Sequence, residues 1–344
     1  MAEREDLMRI AFRLLSGIGG AILIGVVASP LVRGQSARPT IATEADFRRA
    51  LKELSNWGRW GEKDELGAAN LITPAKRKQA IALAREGRTV SLSHDVPREK
   101  DVDTPTFLDR ALVTVAPNVS LDRYQYTGTY HGVVHSHLDA VDCHIMVDGK
   151  GYNGVSVEEI KAAGGCPRGS INALKDGVVT RGILFDATKL PGKATPQGWL
   201  EPGTAIHSAD LETLERMQRV KVSPGDVILL YTGRWKRRAA LGAWPNATGF
   251  AGWHIDVAYF LKERGVSFIG ADGPNDVSPS GLPQGVGLHQ LALVAMGVSI
   301  FDNLDFERAV EEARRLNRYE FLFMAAPLRV EKGTGSPLNP LAVF

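Results

Sequence analysis

A cluster of histidines places the strongest constraint on how this chain folds, because four of its eight histidines lie within residues 131–144. Along an extended strand, successive side chains point to opposite faces, so His131, His135, His137 and Asp139 share one parity. At about 6–7 Å per two-residue step, His135, His137 and Asp139 would converge on one side of the strand. Several imidazoles beside a carboxylate indicate a metal or catalytic site. His144 follows after a short turn and is placed to reach the same pocket.

The ligand types narrow the choice of metal. Neutral imidazole together with carboxylate suits Zn²⁺, Mn²⁺ or Fe²⁺. We expect a divalent metal cofactor, Zn²⁺ or Mn²⁺, and the residues alone do not distinguish these two ions.

Composition is that of an ordinary globular protein. The chain has 344 residues, of which 44% are hydrophobic and 23% charged, and this balance excludes a disordered, collagen-like or coiled-coil chain. The net charge of +2 gives no electrostatic footprint for nucleic acid. No Gly-x-Ser-x-Gly or phosphate-loop motif occurs in the sequence, which argues against a serine hydrolase or a kinase. The Gly-x-Gly-x-x-Gly string at Gly149–Gly154 does not directly follow a predicted strand, so it is not a dinucleotide fingerprint of a dehydrogenase.

Strand-like and helix-like runs are mixed along the chain and predict one α/β domain over residues 45–344. Runs rich in Val, Ile, Leu and Phe predict strands at 89–96, 111–116, 178–186, 226–232, 266–272, 298–302 and 321–330. Helices are predicted at 74–86, where Thr73 caps a first-turn proline, and at 156–163, 209–219, 254–264, 288–296 and 306–316.

The N-terminal segment is a separate unit. Residues 14–32 form an uncharged run of 19 residues after Arg9 and Arg13, which is typical of a secretory signal peptide within residues 1–37. The run is also just long enough to span a membrane, so an uncleaved anchor is the alternative. We therefore expect a periplasmic or secreted protein, or a membrane-anchored one. An oxidising compartment would permit a Cys143–Cys166 bridge, but two buried free thiols explain these cysteines equally well.

Several segments, taken in order, carry a resemblance to a known family. They include Asn56–Pro74 (NWGRWGEKDELGAANLITP), Arg181–Thr188 (RGILFDAT), Pro224–Gly233 (PGDVILLYTG), Ala271–Gly281 (ADGPNDVSPSG) and His289–Leu304 (HQLALVAMGVSIFDNL). Through these segments the chain resembles the cyclase family of metal-dependent hydrolases, which includes kynurenine formamidase and isatin hydrolase, and it is closest to the longer branch of that family. The resemblance implies a single α/β domain of the swivelling β/β/α type and a homo-oligomer, either a dimer or a tetramer.

The resemblance also implies ligands within the histidine cluster. In the family motif His-x-Gly-Thr-His-x-Asp-x-Pro-x-His, the second His matches His137 and the Asp matches Asp139. The first His falls on Val133, so His131 or His135 is the candidate replacement. The last His of the motif matches His144 if the stretch after Asp139 is one residue longer in this chain than in the family.

Further ligands lie downstream in the sequence. The family's second-metal His resembles His289, and its Glu resembles the shorter Asp302. The expected metal ligands are therefore His137, Asp139 and His289, assisted by His135 or Asp302. A single metal is expected, because the chain departs from the family pattern at Val133 and at Asp302.

The implied chemistry is hydrolysis of a non-peptide C–N bond (amide, formamide or lactam) in a small, aromatic or cyclic substrate by a metal-bound hydroxide. His144 would act as general base and then as acid. Trp60, Trp253 and His254 are candidates for substrate binding, with packing and helix-start roles as alternatives. A lactone hydrolase that uses the same water, and a non-catalytic small-molecule-binding protein on the same scaffold, remain open as functions.

Overall fold

A nine-stranded mixed sheet runs through the structure, which is a computed structural model that describes residues 38–283 and 286–344. Within these ranges the strands are β1 (Thr89–Ser91), β2 (Leu108–Ala116), β3 (Val119–Tyr126), β4 (His137–Asp139), β5 (Val178–Asp186), β6 (Ala205–Ile206), β7 (Val227–Tyr231), β8 (Gly252–Trp253), β9 (Phe268–Ala271), β10 (Ser299–Asp302), β11 (Glu320–Ala325), β12 (Gly335–Pro337) and β13 (Leu341–Val343). The sheet order is β1-β13-β11-β5-β7-β9-β10-β4-β12.

The middle of the sheet is parallel and its flanks are antiparallel. Strands β5, β7, β9 and β10 run parallel to one another, whereas β4 pairs antiparallel with both β10 and β12. Two further pairs stand outside this sheet, namely the β2–β3 hairpin and the short parallel pair of β6 and β8. The predicted α/β domain is confirmed, and Arg38–Phe344 forms one compact unit.

Both faces of the central strands are buried, as expected for parallel strands covered by helices. Along β7, Val227, Leu229 and Tyr231 enter one apolar cluster, and Ile228 and Leu230 enter the other. This alternation follows the two-residue period of a strand. The sheet therefore separates two cores. One is covered by the helices Ser208–Gln218, Val257–Arg264 and Gln290–Met296, and the other by the helix Glu307–Leu316.

The described residues form α-helices α1 (Glu44–Glu53), α2 (Pro74–Ile81), α3 (Val157–Ala163), α4 (Ser208–Gln218), α5 (Arg234–Leu241), α6 (Val257–Arg264) and α7 (Glu307–Leu316). The start of α2 at the Thr73 cap is as predicted, but the helix ends earlier than expected. Helices α1 and α5 were not predicted. The predicted helix at 288–296 continues beyond His289 as a π-helix, Gln290–Met296, a helix type that often occurs at functional sites.

The strand predicted through the histidine cluster is shorter than expected, and this corrects the parity argument. Only His137–Asp139 is extended as β4, while residues 131–136 form an irregular loop. Gly132 has a φ of 132°, a conformation that favours glycine and interrupts a strand. His131 and His135 therefore do not follow the alternation of His137 and Asp139.

The N-terminal predictions concern residues that lie outside the described ranges. The signal peptide or anchor within residues 1–37 stays a prediction. No helix within 38–283 and 286–344 has the length and apolar character needed to cross a membrane. The expected homo-oligomer also stays a prediction.

A disulfide joins Cys143 to Cys166, so of the two alternatives the structure contains the bridge. Cys143 directly precedes His144, and Cys166 follows α3, which ends at Ala163. The bridge therefore ties the segment that carries His144 to the α3 region.

Replacing both cysteines, Cys143→Ser with Cys166→Ser, should lower the free energy of unfolding by about 3 kcal/mol, the loop-closure value for a bridge spanning 23 positions. Urea denaturation of the variant and the wild type under oxidising conditions measures the difference. Wild type under reducing conditions is the matched control and should move to the midpoint of the variant. Equal midpoints for oxidised wild type and variant would contradict the structural role of the bridge.

Candidate metal centre

The carboxylate of Asp139 lies at the centre of the histidine cluster and is fully buried. Its Oδ1 is 2.9 Å from His131 Nδ1 and 3.4 Å from His137 Nε2. Its Oδ2 is 3.5 Å from His144 Nε2 and 3.9 Å from His289 Nε2. Four imidazoles, one of them from a distant part of the chain, thus surround one carboxylate.

A second carboxylate closes the cluster from the neighbouring strand. Asp302 is the last residue of β10 and lies directly opposite His137 in the antiparallel pair with β4. Its Oδ2 is 3.5 Å from His137 Nε2 and 3.3 Å from His289 Nε2. Strand pairing therefore brings together two ligand types that are far apart in the sequence.

Three of the four histidines also use their other ring nitrogen in a hydrogen bond, away from Asp139 and Asp302. The Nδ1 of His137 donates to the carbonyl oxygen of His135 over 2.7 Å, which leaves Nε2 free to face the cluster. Nε2 of His131 lies 3.0 Å from Thr334 Oγ1, and Nδ1 of His289 bonds Asp276 Oδ2. Such outer partners orient imidazoles that bind metals and select their tautomer.

Asp302 is also held from behind, by Asn275. The Asn275 side-chain amide donates to Asp302 Oδ1 and to the Phe301 carbonyl oxygen. The indole N–H of the fully buried Trp253 donates to Asn275 Oδ1 over 2.9 Å. This chain of bonds leaves Asp302 Oδ2 directed at the histidines.

The carboxylates change the protonation of the buried histidines. Burial alone would lower the pKa of His137, but Asp139 and Asp302 outweigh burial and raise it to about 9. The pKa of His289 is likewise raised well above its usual value, since Asp276 and Asp302 outweigh burial. Burial would raise the pKa of Asp139, but His137 and the other imidazoles hold it well below its usual range.

The pKa of His144 is lowered, whereas the pKa of His137 is raised. Burial lowers the pKa of His144 to about 4, and Asp139 opposes this only in part. His144 is therefore neutral at pH 7 and has a nitrogen that can accept a proton or bind a metal.

The donor set fits a divalent cation. Both oxygens of Asp139 and the Nδ1 of His131 are buried without a hydrogen bond of good geometry, although each lies beside potential partners. Buried polar atoms are normally bonded, so these orphaned atoms point to a missing ligand. Two ligand groups overlap at Asp139: His131, Asp139 and His144 form one, and His137, Asp139 and Asp302 form the other.

A cavity of about 640 Å³ opens onto this cluster. Histidines 131, 137, 144 and 289 line it together with Asp276 and Asp302. Apolar side chains line it as well, namely Val133, Ile145, Pro274, Val277 and Val286. Its volume lies in the range of pockets that bind small molecules.

Several predicted site residues lie elsewhere. His135, a predicted ligand, is turned away because the 131–136 loop is not a strand, and its Nε2 lies 3.1 Å from the Thr106 carbonyl oxygen. Trp60 packs on a core cluster beside the Arg59 guanidinium. Trp253 is fully buried behind Asn275, and His254 pairs with Asp256. Among the described residues, none of these four lines the 640 Å³ cavity.

Two site residues, Asn275 and Asp276, lie in a segment of Asp, Gly, Pro and Asn (DGPND) that is typical of a turn in sequence. In the structure Asn275 donates a hydrogen bond to Asp302, and Asp276 bonds the Nδ1 of His289. Both residues therefore support the candidate metal centre. Their position after the end of a strand was the one sequence signal for such a role. Asp272, in contrast, accepts bonds from the N–H groups of Thr232, Gly233 and Arg234, so its role is in local structure.

Comparisons with known proteins agree with this geometry. The Cyclase family model, described as “Putative cyclase”, matches residues 89–275, more than half of the chain. The chain therefore belongs to the cyclase family. No curated protein sequence is significantly similar to it.

Solved structures show the same fold. A crystal structure described as a novel cyclase has a TM-score of 0.74 and 27% identity, with 86% of this chain and 99% of that chain covered. Isatin hydrolase A from Labrenzia aggregata has a TM-score of 0.53 and 18% identity, covering 78% of this chain and 98% of that chain. Isatin hydrolase A from Ralstonia solanacearum has a TM-score of 0.50 and 18% identity, covering 77% of this chain and 95% of that chain.

Asp276→Asn should weaken Zn²⁺ binding by about 10- to 100-fold, because it removes the carboxylate that orients His289. Equilibrium dialysis against Zn²⁺ measures the change. Ser280→Ala is the control, since Ser280 lines the same cavity but bonds the Leu282 N–H. Equal affinities of Asp276→Asn and wild type would show that Asp276 does not support the centre.

Zn²⁺ binding should release protons at pH 7. His137 has a pKa of about 9 without metal and is therefore protonated at this pH, so the cation must displace that proton. The apparent affinity should consequently rise as the pH increases from about 6.5 toward 9. Calorimetry in two buffers of different ionisation enthalpy should give at least one proton released per metal bound, and no release would contradict this assignment.

Proposed function

We propose that the protein is a metal-dependent hydrolase that cleaves the C–N bond of a small amide, formamide or lactam. One observation carries the proposal: four imidazoles and two carboxylates converge at the end of a cavity with apolar walls. The membership in the cyclase family supports it. The likeness to isatin hydrolases, at 18% identity, is a likeness of fold and suggests which substrates to test.

The residues that would hold the cation are His131, His137, Asp139, His289 and Asp302. When bound, a divalent cation such as Zn²⁺ or Mn²⁺ lowers the pKa of a water molecule and polarises a carbonyl oxygen. His131 takes the place of the family histidine that is missing at Val133, because its Nδ1 lies 2.9 Å from Asp139 whereas His135 is turned away.

His144 is the proposed general base. It is neutral at pH 7, and its Nε2 lies within the cluster, 3.5 Å from Asp139 Oδ2. In the forward reaction it takes a proton from the attacking water as the new C–O bond forms. It then returns that proton to the leaving nitrogen as the C–N bond breaks, so that no proton is lost to solvent during the step.

The walls of the cavity indicate the kind of substrate. Val133, Ile145, Val277 and Val286 provide an apolar surface suited to a ring, and the ionisable groups are gathered at one end. A small molecule with an aromatic or cyclic body and one carbonyl would place that carbonyl at the cluster.

His144→Gln should lower kcat by about 10²- to 10⁴-fold with an unchanged content of bound Zn²⁺, since the change removes a proton acceptor and leaves the proposed ligands in place. The assays are hydrolysis of isatin, N-formylkynurenine and dihydrocoumarin by the Zn²⁺- and Mn²⁺-loaded protein, with metal analysis of each variant. His94→Gln, which removes an imidazole that packs against Trp235 outside the cluster, is the matched control and should behave as wild type.

The results of these assays distinguish the candidate functions of the protein. Hydrolysis of dihydrocoumarin alone would favour a lactone hydrolase with the same centre. A wild-type protein that binds metal but hydrolyses none of the three substrates would favour a binding protein. If protein purified without chelator holds no first-row metal, and stays inert after addition of Zn²⁺ or Mn²⁺, the hydrolase proposal is wrong.

A further inference from the structure

A second group of metal-ligating side chains lies outside the cavity described above. It comprises His207, His254 and Asp256, whose ligand atoms all lie within 4.8 Å of one another. None of the three lines the 640 Å³ cavity. The group takes no part in the hydrolysis proposed above, so the inference stands independently of that function.

Strand pairing places the two histidines side by side. Ala205 pairs with Gly252 and Ile206 with Trp253 in the parallel β6–β8 pair, so His207 and His254 are the next residues in register. The backbone N–H of His254 donates to the Ile206 carbonyl oxygen over 2.8 Å, which maintains the register at this point. The two rings lie 4.3 Å apart, as expected of neighbours on adjacent strands.

One oxygen of Asp256 faces both rings. Its Oδ2 lies 2.7 Å from His207 Nδ1 and 3.2 Å from His254 Nδ1. Its Oδ1 accepts the backbone N–H of Ser208, over 3.2 Å, at the start of α4. The backbone N–H at the start of α4 therefore bonds Oδ1 of Asp256, and Oδ2 is left to face the histidines.

The Nδ1 of His254 faces the same carboxylate. It lies 3.2 Å from Asp256 Oδ2 and 3.3 Å from the backbone nitrogen of Asp256. A divalent cation bound in place of a ring proton would hold this nitrogen and the carboxylate oxygen together. Ligand atoms around tetrahedral Zn²⁺ lie about 3.3 Å apart, given Zn–N and Zn–O bonds of about 2.0–2.2 Å. The 3.2 Å from Asp256 Oδ2 to His254 Nδ1 matches this spacing, and the 2.7 Å from Oδ2 to His207 Nδ1 is shorter.

We propose that His207, His254 and Asp256 form a second binding site for a divalent transition metal of the Zn²⁺ class. Two imidazoles and one carboxylate suit this class better than Mg²⁺ or Ca²⁺, which prefer oxygen ligands. The His207 side chain is 42% exposed, so the ion would enter from solvent and complete its coordination with water. Bound there, the ion would clamp the end of β6 to the end of β8.

Direct metal counting tests the proposal on the full-length protein. Zn²⁺ saturation followed by metal analysis should show one ion fewer per chain in His207→Gln than in wild type, or at least a tenfold weaker site. His94→Gln, which removes an imidazole outside both groups, should bind as many ions as wild type. Equal stoichiometry and affinity in His207→Gln and wild type would overturn the proposal.

A residue-specific readout covers the case in which a variant folds poorly. In the wild type, Zn²⁺ should slow the modification of His207 by diethylpyrocarbonate, measured by peptide mass spectrometry, by tenfold or more. Asp256→Asn should abolish this protection. If His207 of the wild type is modified at the same rate with and without Zn²⁺, no metal binds there and the proposal fails.

Discussion

The buried carboxylate of Asp139 is the group on which the rest of the site depends. An unpaired carboxylate in a protein interior costs several kcal/mol, and neither Asp139 oxygen accepts a well-aligned hydrogen bond. Imidazoles from three parts of the chain compensate: the 131–137 segment, the loop at His144, and His289 before the π-helix. A cation in the same position would neutralise the charge more completely, and this is the physical basis of the proposed metal centre.

The sheet supplies the geometry that this interaction needs. Because β4 lies between β10 and β12, both of its edges are paired and its backbone position is fixed. Because both residues lie on paired strands, the pairing fixes the relative positions of His137 and Asp302, which are two of the proposed ligands. Leu138 and Phe301, also paired, face the other way into the apolar core and anchor both strands. Core packing and the proposed metal ligation thus use alternate residues of the same two strands.

Much of the fold was accessible from the sequence, because buried parallel strands such as 178–186 and 226–232 are apolar on both faces. His137 and Asp139 were predicted from strand parity, and the structure does place both in a strand. Strand parity does not describe His131 and His135, since residues 131–136 form an irregular loop with Gly132 at a φ of 132°. His131 reaches Asp139 from this loop, whereas His135 faces Thr106. Position in the sequence alone does not reveal such a turn.

Other features depend on contacts that no local pattern shows. Asn275 and Asp276 resemble turn residues in sequence, and their roles depend on the approach of Asp302 and His289 from other elements. Trp253 and His254 were predicted to bind substrate, yet a parallel pair of two-residue strands directs one inward to Asn275 and the other to Asp256. Such short strands leave little periodic signal in the sequence.

The most direct test of the central claim is anomalous diffraction from crystals grown with Zn²⁺, recorded on both sides of the zinc absorption edge. The structure predicts a zinc peak about 2.0–2.2 Å from Asp139 and from the Nε2 atoms of His137 and His289. A map with no anomalous peak within bonding distance of Asp139 would contradict the account.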